Sequence, residues 1–178
     1  MKPELIISHS DLVYHDVEAI VNSANELLIP GGGVDGAIHR VADRELIEAK
    51  KALGGCPTGE ARHTYSYGLK AKYIIHTVAP RYNHPLFKYN KDKEELLALC
   101  YSNSLELATK LKVSSVAFPA LGTGVYGWNH ELSAHIAINT MLNWLKLSEN
   151  NLSVQLILPK GEICSYYKSV YNSIITRL

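Results

Sequence analysis

Residues 19–39 read AIVNSANELLIPGGGVDGAIH. The stretch opens on Ala19-Ile20-Val21, an apolar run with the form of a buried strand. Asn22 and Asn25 follow where such a strand would end. Three consecutive glycines come next, Gly31, Gly32 and Gly33, and then Asp35, where a helical pattern begins. In an open α/β sheet, ligands bind beyond the carboxyl ends of strands, beside helix N-termini. Glycines placed there let backbone N–H groups approach a phosphate with no Cβ in the way. An amide and a carboxylate next to that loop can hold a sugar and orient a water. The stretch predicts an α/β fold carrying a phosphosugar or nucleotide site.

Outward from it, strand and helix patterns alternate. Glu4 to Ser8 and Glu18 to Asn22 read as strands, and Asp35 to Leu53 as one amphipathic helix. Gly59 to Tyr67 alternates weakly, as an edge strand does, ahead of the apolar run Tyr73 to Val78. Arg81 to Asn90 reads as a loop. Lys91 to Leu111 is helical, with Leu96, Leu97, Cys100, Leu105, Leu107, Ala108 and Leu111 giving an apolar face near period 3.6. Ser114 to Phe118 is a strand, Glu131 to Leu147 a helix, Ser153 to Leu158 a strand, and Glu162 to Thr176 a closing helix. Such alternation predicts a mixed or largely parallel sheet between helix layers. With 178 residues, 47% of them hydrophobic, the chain can build a substantial core, and 1–178 reads as one domain.

Composition excludes several classes. A formal net charge of +1 does not suggest a nucleic-acid binder. Cys56, Cys100 and Cys164 form no Cys-x-x-Cys spacing and so imply neither a zinc site nor a disulfide framework. Neither a signal-peptide pattern nor a membrane-spanning stretch is read, and the expectation is a cytoplasmic protein.

A second glycine loop follows the Ser114–Phe118 strand: Gly122-Thr123-Gly124-Val125-Tyr126-Gly127. It spells G-x-G-x-x-G, a weak signal on its own. Pro119 separates it from the strand, and no acid caps a strand about 20 residues on, as a dinucleotide fold requires. No Gly-Lys-Ser/Thr marks a P-loop either. What survives is a second row of free N–H donors, and two such loops can clamp a diphosphate.

Residue chemistry alone leaves the polar candidates open. Asp35 at a helix start can cap orphan N–H groups as readily as it can act on a substrate. Asn25 can shape a turn, and Asp11 can begin a turn or short helix. His39, one helical turn after Asp35, reads as a packing pair rather than a catalytic partner. His76 reads as a satisfied core histidine and Cys56 as structural, while Tyr82, Tyr89, Tyr166 and Tyr167 read as ordinary surface and core residues.

Five segments together carry a resemblance. Val21–Asn25, Gly31–His39, Cys56–Ala61, Ile75–Val78 and Gly122–Gly127 match, in order and spacing, the macro domain, and most closely its MacroD-type branch, which includes bacterial O-acetyl-ADP-ribose deacetylases and mono-ADP-ribosyl hydrolases. The resemblance runs from Glu4 to about Tyr171. It implies a three-layer α/β/α domain with a central mixed sheet that binds ADP-ribose in a cleft. Under it, Asp11 accepts from the adenine amino group and the Leu12 N–H is offered beside it. Ala24 is a substrate-binding residue, and Asn25 holds the distal ribose hydroxyls. Gly32, Gly33 and Val34 line one side of the diphosphate, and Gly122, Thr123, Gly124, Val125 and Tyr126 the other, the Tyr126 ring flanking the distal ribose. Asp35 positions or deprotonates the attacking water, with the substrate diphosphate sharing in its activation, so neither a metal nor a cofactor is implied.

The chain departs from the family pattern at several places. Ser10 stands where glycine is usual and Pro30 replaces the first of four glycines. Gly122 replaces a common serine, and Asn129 a common proline. Near Pro159, no aromatic is present to stack on adenine, a contact worth about 1–3 kcal/mol per base in nucleic-acid sites.

The function so implied is hydrolysis of ester-linked ADP-ribose, with Asp35 and Asn25 as the catalytic pair. Its substrates would be mono-ADP-ribosylated Asp and Glu on proteins and O-acetyl-ADP-ribose. The alternatives are a non-catalytic reader of ADP-ribose or poly-ADP-ribose, and a phosphatase acting on ADP-ribose 1″-phosphate. Expected partners are ADP-ribose and ADP-ribosylated proteins, with no DNA and no membrane, and the expected state is a monomer.

Overall fold

The structure is a computed structural model that describes residues 4–82 and 90–177. In chain order its strands are β1 (Leu5–His9), β2 (Ala19–Ser23), β3 (Ala61–Tyr65), β4 (Tyr73–Thr77), β5 (Ser115–Phe118) and β6 (Ser153–Leu158). Its helices are α1 (Gly33–Val41), α2 (Glu45–Ala52), α3 (Lys91–Lys110), α4 (His130–Leu147) and α5 (Gly161–Ile175), with a 3-10 turn at Leu12–Tyr14. The six strands lie in the order β1-β6-β5-β2-β4-β3, all neighbours parallel except the edge pair β3 and β4.

Side-chain alternation in the central strands makes the layers. Ala19, Val21 and Ile75 face one side of the sheet together with Val116, Phe118, Val154 and Leu156. There they pack on α3, α4 and α5 through residues such as Tyr101, Leu105, Ile138, Met141 and Tyr167. Ile20, Ile74, Ala117 and Ile157 face the other side, against Ile38 of α1 and Leu46 of α2. Both faces are dry, which is why these strands read as continuous apolar runs rather than as alternating ones. The β3 edge shows the weak alternation instead.

One expectation needs correction. Asp35 to Leu53 is two helices, because the backbone turns extended at Ala42 and the Asp43 N–H donates to the Tyr67 carbonyl at 2.6 Å. A tertiary hydrogen bond overrides local helical periodicity here. The break turns α2 off the α1 axis and onto β3. The expected Arg81–Asn90 loop lies mostly outside the described residues, as does Tyr89.

β2 and β5 are adjacent, yet the chain leaves them in opposite directions. After β2 it crosses to the α1–α2 face, and after β5 to the face of α3, α4 and α5. A crevice opens between two such departures at the carboxyl ends of the strands. Both glycine loops stand at its mouth.

Candidate active site

A cavity of about 540 Å³ fills that crevice. Ser23, Ala24, Asn25, Gly31, Gly32, Gly33, Val34 and Asp35 line it from the β2 side, and Gly122, Thr123, Gly124, Val125 and Tyr126 from the β5 side. Leu158, Pro159, Lys160 and Ile163 close the end above β6, with Arg81 and His130 completing the wall. Asp11 and Leu12 are not among the lining residues. Asp11 is exposed and its Oδ1 accepts from the Val13 N–H at 3.0 Å, while Leu12 is buried against the sheet.

Each loop is held from below. Asn25 closes its own loop: its Nδ2 donates to the Ile29 carbonyl at 2.8 Å and its Oδ1 accepts from the Ile29 N–H at 3.2 Å. Gly33 sits at φ +57°, a left-handed conformation that admits glycine readily and starts α1. In the second loop the Leu121 N–H donates to the buried Tyr101 hydroxyl at 3.0 Å, and Trp128 Nε1 donates to the Pro80 carbonyl at 2.7 Å. Gly122 has φ +79°, and a Cβ there would stand 2.6 Å from Trp128 Cδ1. The absence of the expected serine is therefore a packing consequence of Trp128. Asn129, in place of the expected proline, caps α4 by accepting from the Leu132 N–H at 2.8 Å.

Asp35 is the centre of a buried polar chain. Its Oδ1 accepts from Lys50 Nζ and from Asn22 Nδ2, both at 2.6 Å, and its Oδ2 accepts from the Gly31 N–H at 2.7 Å. Gly32 is the N-cap residue of α1, so the carboxylate secures the preceding loop from the helix's first turn. Asn22 Nδ2 also lies 3.1 Å from His76 Nδ1, and His76 Nε2 lies 3.0 Å from Thr64 Oγ1. The tautomer follows by inference from these partners: Nδ1 accepts and Nε2–H donates. Lys50 Nζ lies 2.9 Å from His39 Nε2, which must then accept.

The charges follow from this wiring. Burial pushes the Asp35 carboxyl up, but hydrogen bonds from Lys50 and Asn22, the Lys50 charge and the Gly31 N–H outweigh it and hold the group below the ordinary carboxylate value. Burial pushes the His76 imidazole down to about 3, and the Lys50 charge adds to this, so it is neutral near pH 7. His39 is also lowered, first by burial and then by Lys50. With Asp35 matched by Lys50, the lining charges left over are Arg81 and Lys160. Arg81 lies over the Tyr126 ring, 4.7 Å from its centroid. The cleft favours an anion.

Lys50, Arg81, His130 and Lys160 were not predicted from the sequence. A lysine in a short helix reads as a solvated residue, yet Lys50 is 1% exposed. Lys160 has a signal in the sequence, since it stands two residues past the end of β6, where crevice-lining residues of such a sheet lie. His130 stands edge-on to Tyr167, their ring centroids 5.8 Å apart, and places an imidazole on the cavity wall that also holds Lys160.

Fold and cleft define a three-layer α/β/α domain with a ligand crevice at adjacent parallel strand ends. The macro domain profile matches residues 21–137, and the chain belongs to the macro domain family. A macro domain-containing protein of Methanosarcina mazei is 46% identical over 169 residues, which are 95% of this chain and 88% of that protein. The human protein named ADP-ribose glycohydrolase MACROD2 is 47% identical over 135 residues, 76% of this chain but 31% of that longer protein. The Oceanobacillus iheyensis macrodomain, solved with ADP, superposes with a TM-score of 0.88 at 36% identity, covering 96% of this chain and 90% of that one.

Proposed function

We propose that this chain, as a single macro domain, binds ADP-ribose and hydrolyses esters at its distal ribose. Its substrates are then mono-ADP-ribosylated Asp and Glu side chains and O-acetyl-ADP-ribose. The observation that carries the reading is the convergence on one cavity of two glycine loops, Asn25 and a buried Asp35 paired with Lys50. Relatives named as ADP-ribose glycohydrolases and a similar structure solved with ADP support it.

In this reading the N–H groups of Gly32–Val34 and Gly122–Tyr126 cradle the diphosphate, and Arg81 and Lys160 offset its charge. Asn25 holds the distal ribose, and Asp11, exposed and outside the residues that line the cavity, is left to meet the adenine through Oδ2, since Oδ1 accepts from the Val13 N–H. Asp35 orients a water at the ester carbonyl. A carboxylate with a lowered pKa is a weak base, so its contribution is positioning, and the proton of the water passes to the departing ribose oxygen as the ester breaks. The water oxygen bonds to the carbonyl carbon, the bond from that carbon to the ribose oxygen breaks, and a carboxylic acid and a ribose hydroxyl result. Links to arginine or serine offer no such carbonyl.

One observation favours a non-catalytic reader: three of the four acceptor positions of the Asp35 carboxylate are already filled within the protein. The test is incubation with protein ADP-ribosylated on acidic residues, on arginine or on serine, and with O-acetyl-ADP-ribose, followed by product identification. Free ADP-ribose should appear from the acidic-residue substrate and acetate from the small ester, with chelator present or absent. Tight ADP-ribose binding by calorimetry with no release from either ester would return the chain to the readers.

A further inference from the structure

We propose that Lys50 is a positioning residue for Asp35, holding the carboxylate by one oxygen and keeping His39 away from the other. This deepens the reading of the cleft as an ester-hydrolysing site and rests on it. Lys50 comes from α2 and Asp35 from α1, and their side chains meet at 2.6 Å with both nearly inaccessible. A carboxylate offers about four acceptor positions. Lys50 and Asn22 fill the two on Oδ1, and the Gly31 N–H fills one on Oδ2. One position on Oδ2 is left, on the oxygen bound to a loop that lines the cavity.

The competitor for that position is His39, whose Nε2 lies 3.6 Å from Oδ2 at the i, i+4 spacing of a helix ion pair. Its Nε2 also lies 2.9 Å from Lys50 Nζ, an ammonium that can only donate. Nε2 must therefore carry a lone pair, and His39 cannot charge and donate to Oδ2 while Lys50 is in place. The groups facing Asp35 are Lys50 from α2, His39 from α1, Asn22 from β2 with the neutral His76 of β4 behind it, and the Gly31 N–H. Lys50 is the only cation among them. A buried ion pair is a poor stabiliser compared with apolar packing, so its consequence lies in the charge and aim of the carboxylate.

The test uses the full chain with Lys50→Met, Lys50→Arg and Lys50→Met/His39→Gln. Readouts are kcat and KM on an Asp/Glu-linked substrate across pH, the ADP-ribose Kd, and the Asp35 carboxyl titration by carbon-13 NMR. Lys50→Met should lower kcat about tenfold or more with Kd within about threefold of the parent. The acidic limb of its kcat profile should move up by about one pH unit. Lys50→Arg should keep the limb near its original place, and adding His39→Gln to Lys50→Met should recover part of kcat. The inference is overturned if folded Lys50→Met keeps the original kcat and limb, or if kcat/KM and binding fall together with no shift of the limb. Should Lys50→Met fail to fold, an Asp35 carboxyl in the unaltered protein that titrates at or above the ordinary value of about 3.9 overturns it. Absence of turnover in the unaltered protein would count against the proposed function alone, since the carboxyl titrations of the parent and of Lys50→Met still decide the role of Lys50.

Discussion

Asp35→Ala should destabilise this protein far more than the loss of a helix-cap acid would. A cap costs about 1 kcal/mol. Here the substitution leaves the Lys50 ammonium, 1% exposed, with no anion beside it. Its remaining described partner is the neutral His39, which accepts a hydrogen bond but brings no charge. Breaking a buried pair by removing one member costs about 3–5 kcal/mol. At about 2–4 °C per kcal/mol for a chain of this size, Tm should fall by roughly 6–20 °C. Replacing both members by apolar side chains is neutral or better, so Asp35→Ala/Lys50→Met should recover most of the loss while ester turnover stays abolished. Thermal melting and urea titration at neutral pH, with turnover measured per folded molecule, separate the two effects. A single variant melting within about 2 °C of the parent, or a double variant no more stable than the single, would refute the claim that Lys50 is charged and dependent on Asp35.

His76 and Gly122 give two further expectations. His76 is pushed down to about 3 by burial, against about 6.5 in the unfolded chain, so the folded protein binds fewer protons between those values. Its stabilisation is complete above about pH 6.5 and is lost as pH falls toward 3; Asp35, also lowered, adds loss in the same direction below about 3.9. Urea midpoints should fall steadily from pH 7 to 5, and His76→Gln should flatten that slope; equal slopes would contradict the assignment. At Gly122, alanine meets both a left-handed backbone and Trp128, costing about 2–5 kcal/mol in unfolding free energy. Gly124→Ala, where a Cβ meets nothing within 4 Å, should cost less than about 1 kcal/mol, and similar losses for both would rule out the packing argument.

The layers and both glycine loops were legible in the sequence because their signals are local. Buried strands such as Ile74-Ile75 show as apolar runs, helices as 3.6-residue faces, and the crevice as glycine-bearing loops that follow two of the strands. The polar chain beneath Asp35 was not legible, because its members are assembled by register and by one turn. Asn22 and His76 are cross-strand partners in β2 and β4, and Thr64 faces His76 from β3. Lys50 is the sharper case. On one continuous helix from Asp35 to Leu53 it would lie about 22 Å along the axis from Asp35; the turn after Ala42 brings the two side chains to 2.6 Å. That turn hangs on a hydrogen bond to Tyr67, which no periodicity in 35–53 can report.

The two departures from the family pattern around the second loop, Gly122 and Asn129, form one adjustment. Trp128 reaches across to donate to the Pro80 carbonyl, and its ring then occupies the space a side chain at position 122 would need. Glycine at 122 follows from that, and the Trp128 N–H returns to the Gly122 carbonyl at 3.1 Å, closing the loop. Asn129 then starts α4 at once, its side chain supplying the acceptor that a proline could not. The loop that faces Asp35 across the cleft is thus fixed by an indole and a cap. Gly124, with open space around it, leaves the segment between them room to meet a ligand. A serine restored at 122 without a smaller residue at 128 should therefore damage the cleft, although family resemblance alone recommends it.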